Sequence, residues 1–263
     1  MTETTIGLLH PGEMGAAVGK CLAGAGHRVL WVPEGRGVAT RERAEAAGLT
    51  GVALTEMASR SSIIFSVCPP HAALDVGRLV AGFGGLFVDA NAIAPATAGE
   101  VAAIVAAGGA GYVDGGIVGP PPVTPGGTRL YLSGQRAAEV QALFAGTAVD
   151  ARIVPPPGTA SAVKMAYASW TKGSAALLLA ARALARAEGV EPVLLEEWGL
   201  SQPGLEKRWE GADRSAAAKG WRWTGEMEQI AAAMAAAGLP EGFHQAAAEV
   251  YRGYEQPARR SDR

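Results

Sequence analysis

The chain contains few of the residues and patterns that define several large classes of protein. Its 263 residues include only two cysteines and four histidines, so we expect neither a disulfide framework nor a metal site. The formal net charge is −2, and lysine and arginine are scattered, which argues against a nucleic-acid partner. No apolar run has the length of a membrane span, and residues 1–3 lack the character of a signal peptide. These absences favour a cytoplasmic protein with no membrane partner.

Glycine, in contrast, is abundant, and several glycines lie close together near the start of the chain. The pattern predicts an apolar strand at 4–9, a glycine turn at 10–15, an alanine-rich helix to 26 and a second apolar strand at 28–32. This order is typical of the first βαβ unit of a dinucleotide-binding fold. Gly12 would let the backbone approach a pyrophosphate, and Gly15 would let the helix pack closely on the strand. His10 stands where the G-x-G-x-x-G pattern has its first glycine, and a tight turn without a ligand is the alternative interpretation.

The first half of the chain alternates strand-like and helix-like segments, which predicts an α/β fold with a parallel-rich sheet. Further strands are predicted at 62–67, 85–89, 110–113, 128–133 and 152–154, and helices at 71–80, 97–107 and 136–144. The run Pro155–Gly158 suits neither a helix nor a central strand, so we predict a Rossmann domain at 1–157 and an all-helical domain at 158–263. One long interdomain helix at 160–188 enters the second domain, and shorter helices are predicted at 192–200, 205–220, 226–237 and 243–255.

The loop after the second strand bears on the choice of cofactor. NAD-binding proteins usually end this strand with an acidic residue that accepts from the ribose 2′-OH, whereas an arginine nearby accommodates the 2′-phosphate of NADP. Glu34 favours NAD, but Arg36 and Arg41 favour NADP, because a guanidinium suits bidentate phosphate binding. Pro33 takes the usual acidic position, so NADP is the predicted cofactor and NAD is the alternative.

Further motifs follow along the chain, at 67–70, 89–95, 114–120, 126–134 and 158–164. Together with Gly7–Gly15 they resemble the motifs of the β-hydroxyacid dehydrogenase superfamily. That superfamily includes 6-phosphogluconate dehydrogenase and 3-hydroxyisobutyrate dehydrogenase, with imine reductases as a divergent branch. The chain departs from the family pattern at His10, where the family has glycine, and at Asn91 and Val118, where it has serine. The motif that begins at Gly158 ends at Lys164, the position of the family's catalytic lysine.

The resemblance implies roles for individual residues. Lys164 is the predicted proton-transfer residue, with a solvated surface lysine as the alternative. The family's asparagine one turn later is Ala168 here, so Tyr167 or Thr171 is predicted to supply the missing hydrogen bond. Asn91 is predicted to offer its amide to the nicotinamide ribose or the substrate. The structural alternatives are a packing role for Tyr167, with its hydroxyl at the surface, and a turn-forming role for Asn91. The predicted cofactor-binding residues are Gly12, Glu13, Met14, Arg36, Cys68, Pro69 and Asn91, and the predicted substrate-binding residues are Gly116, Val118, Gly119 and Thr171.

The predicted substrate residues come mainly from one segment. Residues 114–119 are expected to form a loop that offers backbone N–H groups to an anionic or carbonyl group. The resemblance then implies an NADP-dependent oxidoreductase that transfers hydride between the nicotinamide and a hydroxy-acid or carbonyl substrate in an interdomain cleft. An imine reductase acting on C=N is one alternative, and a nicotinamide-binding sensor without turnover is another. The expected partners are a small-molecule substrate and a second copy of the chain, because such helical domains dimerise in the family.

Overall fold

The computed structural model describes residues 3–254. The chain divides into two compact units, of which the first ends at Lys164 and the second begins at Met165. This division falls inside one long helix, whereas the boundary predicted from the proline run lies just before that helix.

The first unit is built on one eight-stranded sheet that is mostly parallel. Its strands are β1 (Thr5–Leu9), β2 (Arg28–Trp31), β3 (Thr50–Gly51), β4 (Ile63–Ser66), β5 (Leu86–Asp89), β6 (Gly111–Val118), β7 (Thr128–Ser133) and β8 (Val149–Ile153). They lie in the order β3-β2-β1-β4-β5-β6-β7-β8, and β6 and β7 form the antiparallel pair. The first six follow the strand order of the dinucleotide-binding fold, in which ligands bind beyond the carboxyl ends of β1 and β4.

Helices cover both faces of this sheet. They are α1 (Glu13–Gly24), α2 (Val38–Ala46), α3 (Leu54–Arg60), α4 (Ala73–Leu79), α5 (Pro95–Ala107) and α6 (Ala137–Ala142), with a short 3₁₀ turn at Pro70–Ala72. One hydrophobic core packs the sheet against α1 and α6, and a second packs the other face against α3, α4 and α5. Because the central strands are buried on both faces, their sequences are continuously apolar rather than alternating.

The second unit is helical. It contains most of α7 (Ala160–Ala187), followed by α8 (Glu191–Ser201), α9 (Leu205–Lys219), α10 (Trp223–Ala236) and α11 (Gly242–Arg252). Met227, Ile230 and Tyr251 are fully or almost fully buried where α10 packs on α11, and the Tyr251 hydroxyl donates to the Lys172 carbonyl at 2.7 Å. The predicted last helix extends to Glu255, which lies outside the described residues. None of the helices within 3–254 is long and apolar enough to cross a membrane.

The fold class predicted from the sequence is confirmed, but the loop predicted at residues 114–119 is wrong. Strand β6 continues to Val118 and pairs with β7, so its backbone groups belong to the sheet. The glycines in this segment serve close packing rather than loop formation: a Cβ at Gly115 would lie 3.0 Å from the Asp89 carbonyl oxygen. A glycine inside a strand often marks such a close approach.

Candidate functional site

The turn between β1 and α1 has the geometry of a phosphate-binding turn. Gly12 precedes α1 without a side-chain cap, and a Cβ on Gly12 would meet no atom within 4 Å, so this side of the turn is open. A Cβ on Gly15 would instead lie 2.5 Å from the His10 carbonyl oxygen, so only glycine fits there. Glu13 is exposed, and Met14 packs against the hydrophobic core. The open Gly12 and the tight Gly15 match the second and third glycines of the dinucleotide fingerprint.

His10 occupies the remaining position of this turn in a conformation that favours glycine. Its φ is +68°, and no other non-glycine residue within 3–254 has a positive φ. Its ring nitrogen Nδ1 is buried and has no hydrogen-bond partner among the described residues. Burial, and then the nearby positive charge of Arg36, lower the pKa of His10 to about 4, so the ring is neutral at neutral pH.

Arg36 reaches this turn from the loop after β2. Its positive charge adds to the lowering of the His10 pKa and slightly opposes the rise of the Cys68 pKa, so the guanidinium lies near both residues. The Arg36 Nε is buried without a partner among the described residues. Arg41 is exposed, and its Nε donates to the Arg36 carbonyl oxygen at 3.0 Å. Glu34 is also exposed. Of the charged residues weighed for cofactor choice, Arg36 is therefore the one whose charge acts on His10 in the turn.

The carboxyl end of β4 is held by Asn91. The Asn91 side chain is 2% exposed; its Oδ1 accepts from the Cys68 N–H at 2.6 Å, and its Nδ2 donates to Ser66 Oγ at 2.9 Å. Asn91 thus fixes the loop that carries Cys68 and the exposed Pro69. Burial raises the pKa of the Cys68 thiol to about 12, so the thiol stays protonated. The direct contact of Asn91 with cofactor or substrate stays a prediction, since the bonds described for its side chain run within the protein.

Four polar side chains form a continuous row across β4, β5, β6 and β7. Ser66 pairs in register with Asp89, Asp89 with Asp114, and Asp114 with Ser133. We call these four residues the polar row; each is at most 1% exposed. Burial, reinforced by the Asp114 charge, raises the pKa of Asp89 to about 7, although hydrogen bonds from Asn91 and Tyr112 oppose the shift. The row lies on the face where α7 begins, and two of its members hold that helix.

Ser133 and Asp114 cap the start of α7 from the sheet. Ser133 Oγ accepts from the backbone N–H groups of Gly158, Thr159 and Ala160 at 3.0 to 3.1 Å. Asp114 Oδ2 accepts from the Ser161 N–H at 2.9 Å and from Ser133 Oγ at 3.0 Å, and Asp114 Oδ1 accepts from the Ser161 hydroxyl. A carboxylate at a helix N-terminus is stabilised by the helix dipole. The beginning of α7 is thereby fixed on β6 and β7.

Lys164 follows one turn after this cap. A Cβ on Gly116 would lie 2.7 Å from the Ala160 carbonyl oxygen and 3.0 Å from the Lys164 Cβ, so glycine at position 116 lets the helix lie directly on β6. Lys164 is half-buried and makes no hydrogen bond or ion pair with any residue of the described part of the chain. The structure thus brings together Lys164 and Gly116, two of the residues predicted for catalysis and substrate binding.

The other predicted substrate residues differ in their surroundings. Val118 is 2% exposed, at the end of β6. Gly119 ends the strand with φ +117°, and a Cβ there would lie 2.3 Å from the Gly127 carbonyl oxygen. Tyr167 and Thr171 belong to the second unit; both are exposed, and the Thr171 hydroxyl donates to the Tyr167 carbonyl at 3.1 Å. The hydrogen-bonding roles of Tyr167 and Thr171 stay predictions.

A separate cavity of about 420 Å³ lies beside the polar row, between α5 and the start of α7. Tyr112, Asp114 and Ser133 contribute to its wall. Sequence reasoning misses both this cavity and the capping role of Ser133. Only the register of adjacent strands brings these residues together, and no local sequence signal reports that register.

Comparisons with known proteins concern the fold of the chain. A model of a domain of unknown function (DUF1932) matches residues 185–254. No curated protein matches the sequence. A solved structure of MTH1747, a conserved protein of unknown function described as similar to 3-hydroxyacid dehydrogenases, is 25% identical, with a TM-score of 0.69 over 95% of this chain and 96% of that one.

Two solved enzymes share the fold at lower identity. The 3-hydroxyisobutyrate dehydrogenase of Mycobacterium tuberculosis, solved with L-serine, is 20% identical, with a TM-score of 0.71 over 96% of this chain and 94% of that one. A reductive aminase from Aspergillus terreus, solved with NADPH and ethyl levulinate, is 22% identical, with a TM-score of 0.59 over 96% and 93%. The fold is that of the 3-hydroxyacid dehydrogenase-like class. The resemblance of its motifs to the β-hydroxyacid dehydrogenase superfamily predicts this fold, and these solved structures share it.

Proposed function

We propose that this protein is an NADP-dependent oxidoreductase that transfers hydride between the nicotinamide and a hydroxy-acid or carbonyl substrate. The observation that carries the proposal is the β1–α1 turn, where the open side of Gly12 and the unpartnered Nε of Arg36 offer a place for phosphate groups. The class of fold adds support, since the reductive aminase that shares it was solved with NADPH.

The preference for NADP over NAD rests on the loop after β2. Arg36 has its guanidinium near the turn, whereas Glu34 is exposed. A guanidinium supplies paired donors to a phosphate, and a carboxylate at the same place would repel it. Arg36 is therefore the residue that would bind the 2′-phosphate, with Arg41 fastened to the same loop.

Separate residues of the chain would bind the cofactor and transfer the proton. Gly12 and the start of α1 would bind the pyrophosphate, and the loop of Cys68 and Pro69, held by Asn91, would border the cofactor. The bound nicotinamide supplies the hydride donor or acceptor. Lys164 would move a proton at the substrate oxygen, because its ammonium group has no competing ion pair within the described residues.

A second candidate function is imine reduction. Ala168 is 1% exposed and has no polar group, so it cannot replace the asparagine that the family pattern has at that position. The Tyr167 side chain, in contrast, is 45% exposed and carries a hydroxyl that can donate a proton to a substrate nitrogen. In this candidate Tyr167 takes the role that Lys164 has in carbonyl chemistry.

We also propose that the chain works as a homodimer. Trp170, Leu177 and Leu184 are exposed on α7 at 67%, 71% and 63%, and their spacing of seven residues aligns them on one helix face. A continuous apolar stripe on a helix surface is typical of an interface.

The proposed reaction is tested by following NADPH consumption with panels of carbonyl and imine compounds. Wild type should consume NADPH with members of one panel, and Lys164→Ala should lower turnover on a carbonyl substrate about 10²–10⁴-fold. NADPH affinity should be nearly unchanged, because the phosphate turn is on β1 and α1. The matched control is Lys207→Ala, which removes an exposed helix lysine of the second unit and should keep full activity. Turnover that survives Lys164→Ala but falls in Tyr167→Phe would favour the imine-reductase candidate.

A further inference from the structure

Two buried nitrogen atoms near the phosphate turn have no hydrogen-bond partner among the described residues. They are His10 Nδ1 and Arg36 Nε. A buried polar group left without a partner destabilises the folded state, so most such groups in folded proteins are satisfied. The two side chains are also electrostatic neighbours, since the Arg36 charge disfavours the protonated form of His10. A ligand oxygen that both could reach would satisfy two orphaned groups at once.

The backbone of His10 adds an independent observation. A glycine would adopt its φ of +68° without steric cost, whereas histidine adopts it at some expense. Strained residues of this kind are found mainly at functional sites, where bound ligands or neighbouring structure compensate for them. Histidine at position 10 thus carries both backbone strain and an orphaned nitrogen, and glycine would remove both.

We propose that His10 determines cofactor specificity, with its imidazole donating a hydrogen bond from Nδ1 to the 2′-phosphate of the bound dinucleotide, beside the Arg36 guanidinium. The inference rests on the proposed function and assigns a contact that the fingerprint glycine cannot make. The ring carries one proton when neutral, so Nδ1 donates in the tautomer that leaves Nε2 unprotonated. Arg36 supplies the charge, and His10 adds a directional contact.

The test compares wild type with His10→Gly and His10→Asn by calorimetric titration of 2′,5′-ADP and 5′-AMP, two fragments that differ in the 2′-phosphate. His10→Gly should weaken 2′,5′-ADP about tenfold and leave 5′-AMP nearly unchanged. His10→Asn should recover part of the loss, because asparagine tolerates a positive φ and keeps an amide donor. The melting temperature of unliganded His10→Gly should equal or exceed that of wild type, which separates a lost contact from a damaged fold.

Three results would overturn the inference. In the first, 2′,5′-ADP binds wild type and His10→Gly equally well; the proposed oxidoreductase function then still stands. In the second, both fragments weaken by the same factor, which would assign His10 to another part of the nucleotide. In the third, wild type binds neither 2′,5′-ADP nor NADPH, and the proposed function then fails as well.

Discussion

The carboxylate of Asp114 links the sheet to the start of α7, the helix that carries Lys164. Removing this carboxylate tests whether it anchors the helix on the sheet. Its two oxygens accept from the Ser133 hydroxyl and from both the N–H and the hydroxyl of Ser161. The Asp114 side chain is 1% exposed, so these contacts are shielded from bulk water. Asp114→Ala would therefore leave up to three donors buried and unpaired.

The magnitude follows from those contacts. Each orphaned buried donor costs about 1–3 kcal/mol, and the lost charge at the helix N-terminus costs about 0.3–1 kcal/mol more. Because Ser161 and Ser133 can turn their hydroxyls elsewhere, we expect Asp114→Ala to lower the free energy of unfolding by about 3–5 kcal/mol. Asp114→Asn keeps one acceptor oxygen and should cost about 1–2 kcal/mol.

Urea denaturation followed by tryptophan fluorescence measures these losses without a substrate. Glu139→Ala is the matched control, because the Glu139 carboxylate pairs with Arg136 at 2.7 Å but is half-exposed. An exposed pair of this kind contributes about 0–1 kcal/mol. If Asp114→Ala destabilised the protein no more than Glu139→Ala does, the proposed anchoring of α7 would be refuted.

Three further predictions concern the cofactor, the pH and the assembly. Arg36→Ala should weaken NADPH by about 1.5–3 kcal/mol with little effect on NADH, measured by titration, and an equal loss for both would contradict the 2′-phosphate assignment. Because folding raises the pKa of Asp89 to about 7, the folded state binds the Asp89 proton more tightly than the unfolded state does. The stabilisation from the protonated carboxyl is therefore full below the unfolded pKa of about 4 and is lost as the pH rises to 7. Asp89→Asn, which stays neutral, should flatten that part of the curve of unfolding free energy against pH, and an unchanged slope would refute the assignment. Leu177→Glu puts a charge among the exposed apolar residues of α7. Light scattering should therefore give the mass of a dimer for wild type and the mass of a monomer for the variant. A monomer mass for wild type would contradict the proposed dimer.

The sequence carries most of the fold, because its central strands are long apolar runs separated by glycine and proline. The strands of the first βαβ unit and helix α7 lie within one residue of their predicted bounds, and α1 begins three residues earlier than predicted. Helix α2 escapes prediction because it is short and mostly polar, and β3 because it has only two residues. The predicted β6 is too short, since Gly115 and Gly116 are locally typical of a loop although they serve close packing.

Residues of the candidate site can be predicted from the sequence where they belong to a single local motif. The Gly12 turn and the position of Lys164 follow from local patterns, whereas the polar row depends on strand register and cannot be predicted from them. The conformation of His10 also lies beyond sequence reasoning, because the sequence shows a missing glycine but not the backbone angle that the residue keeps.

The most direct test of the central claim is a calorimetric titration of the purified wild-type protein with NADPH and, in parallel, with NADH. The account predicts saturable binding of one NADPH per chain, with an affinity higher than that for NADH. Absence of saturable binding of either dinucleotide would contradict it.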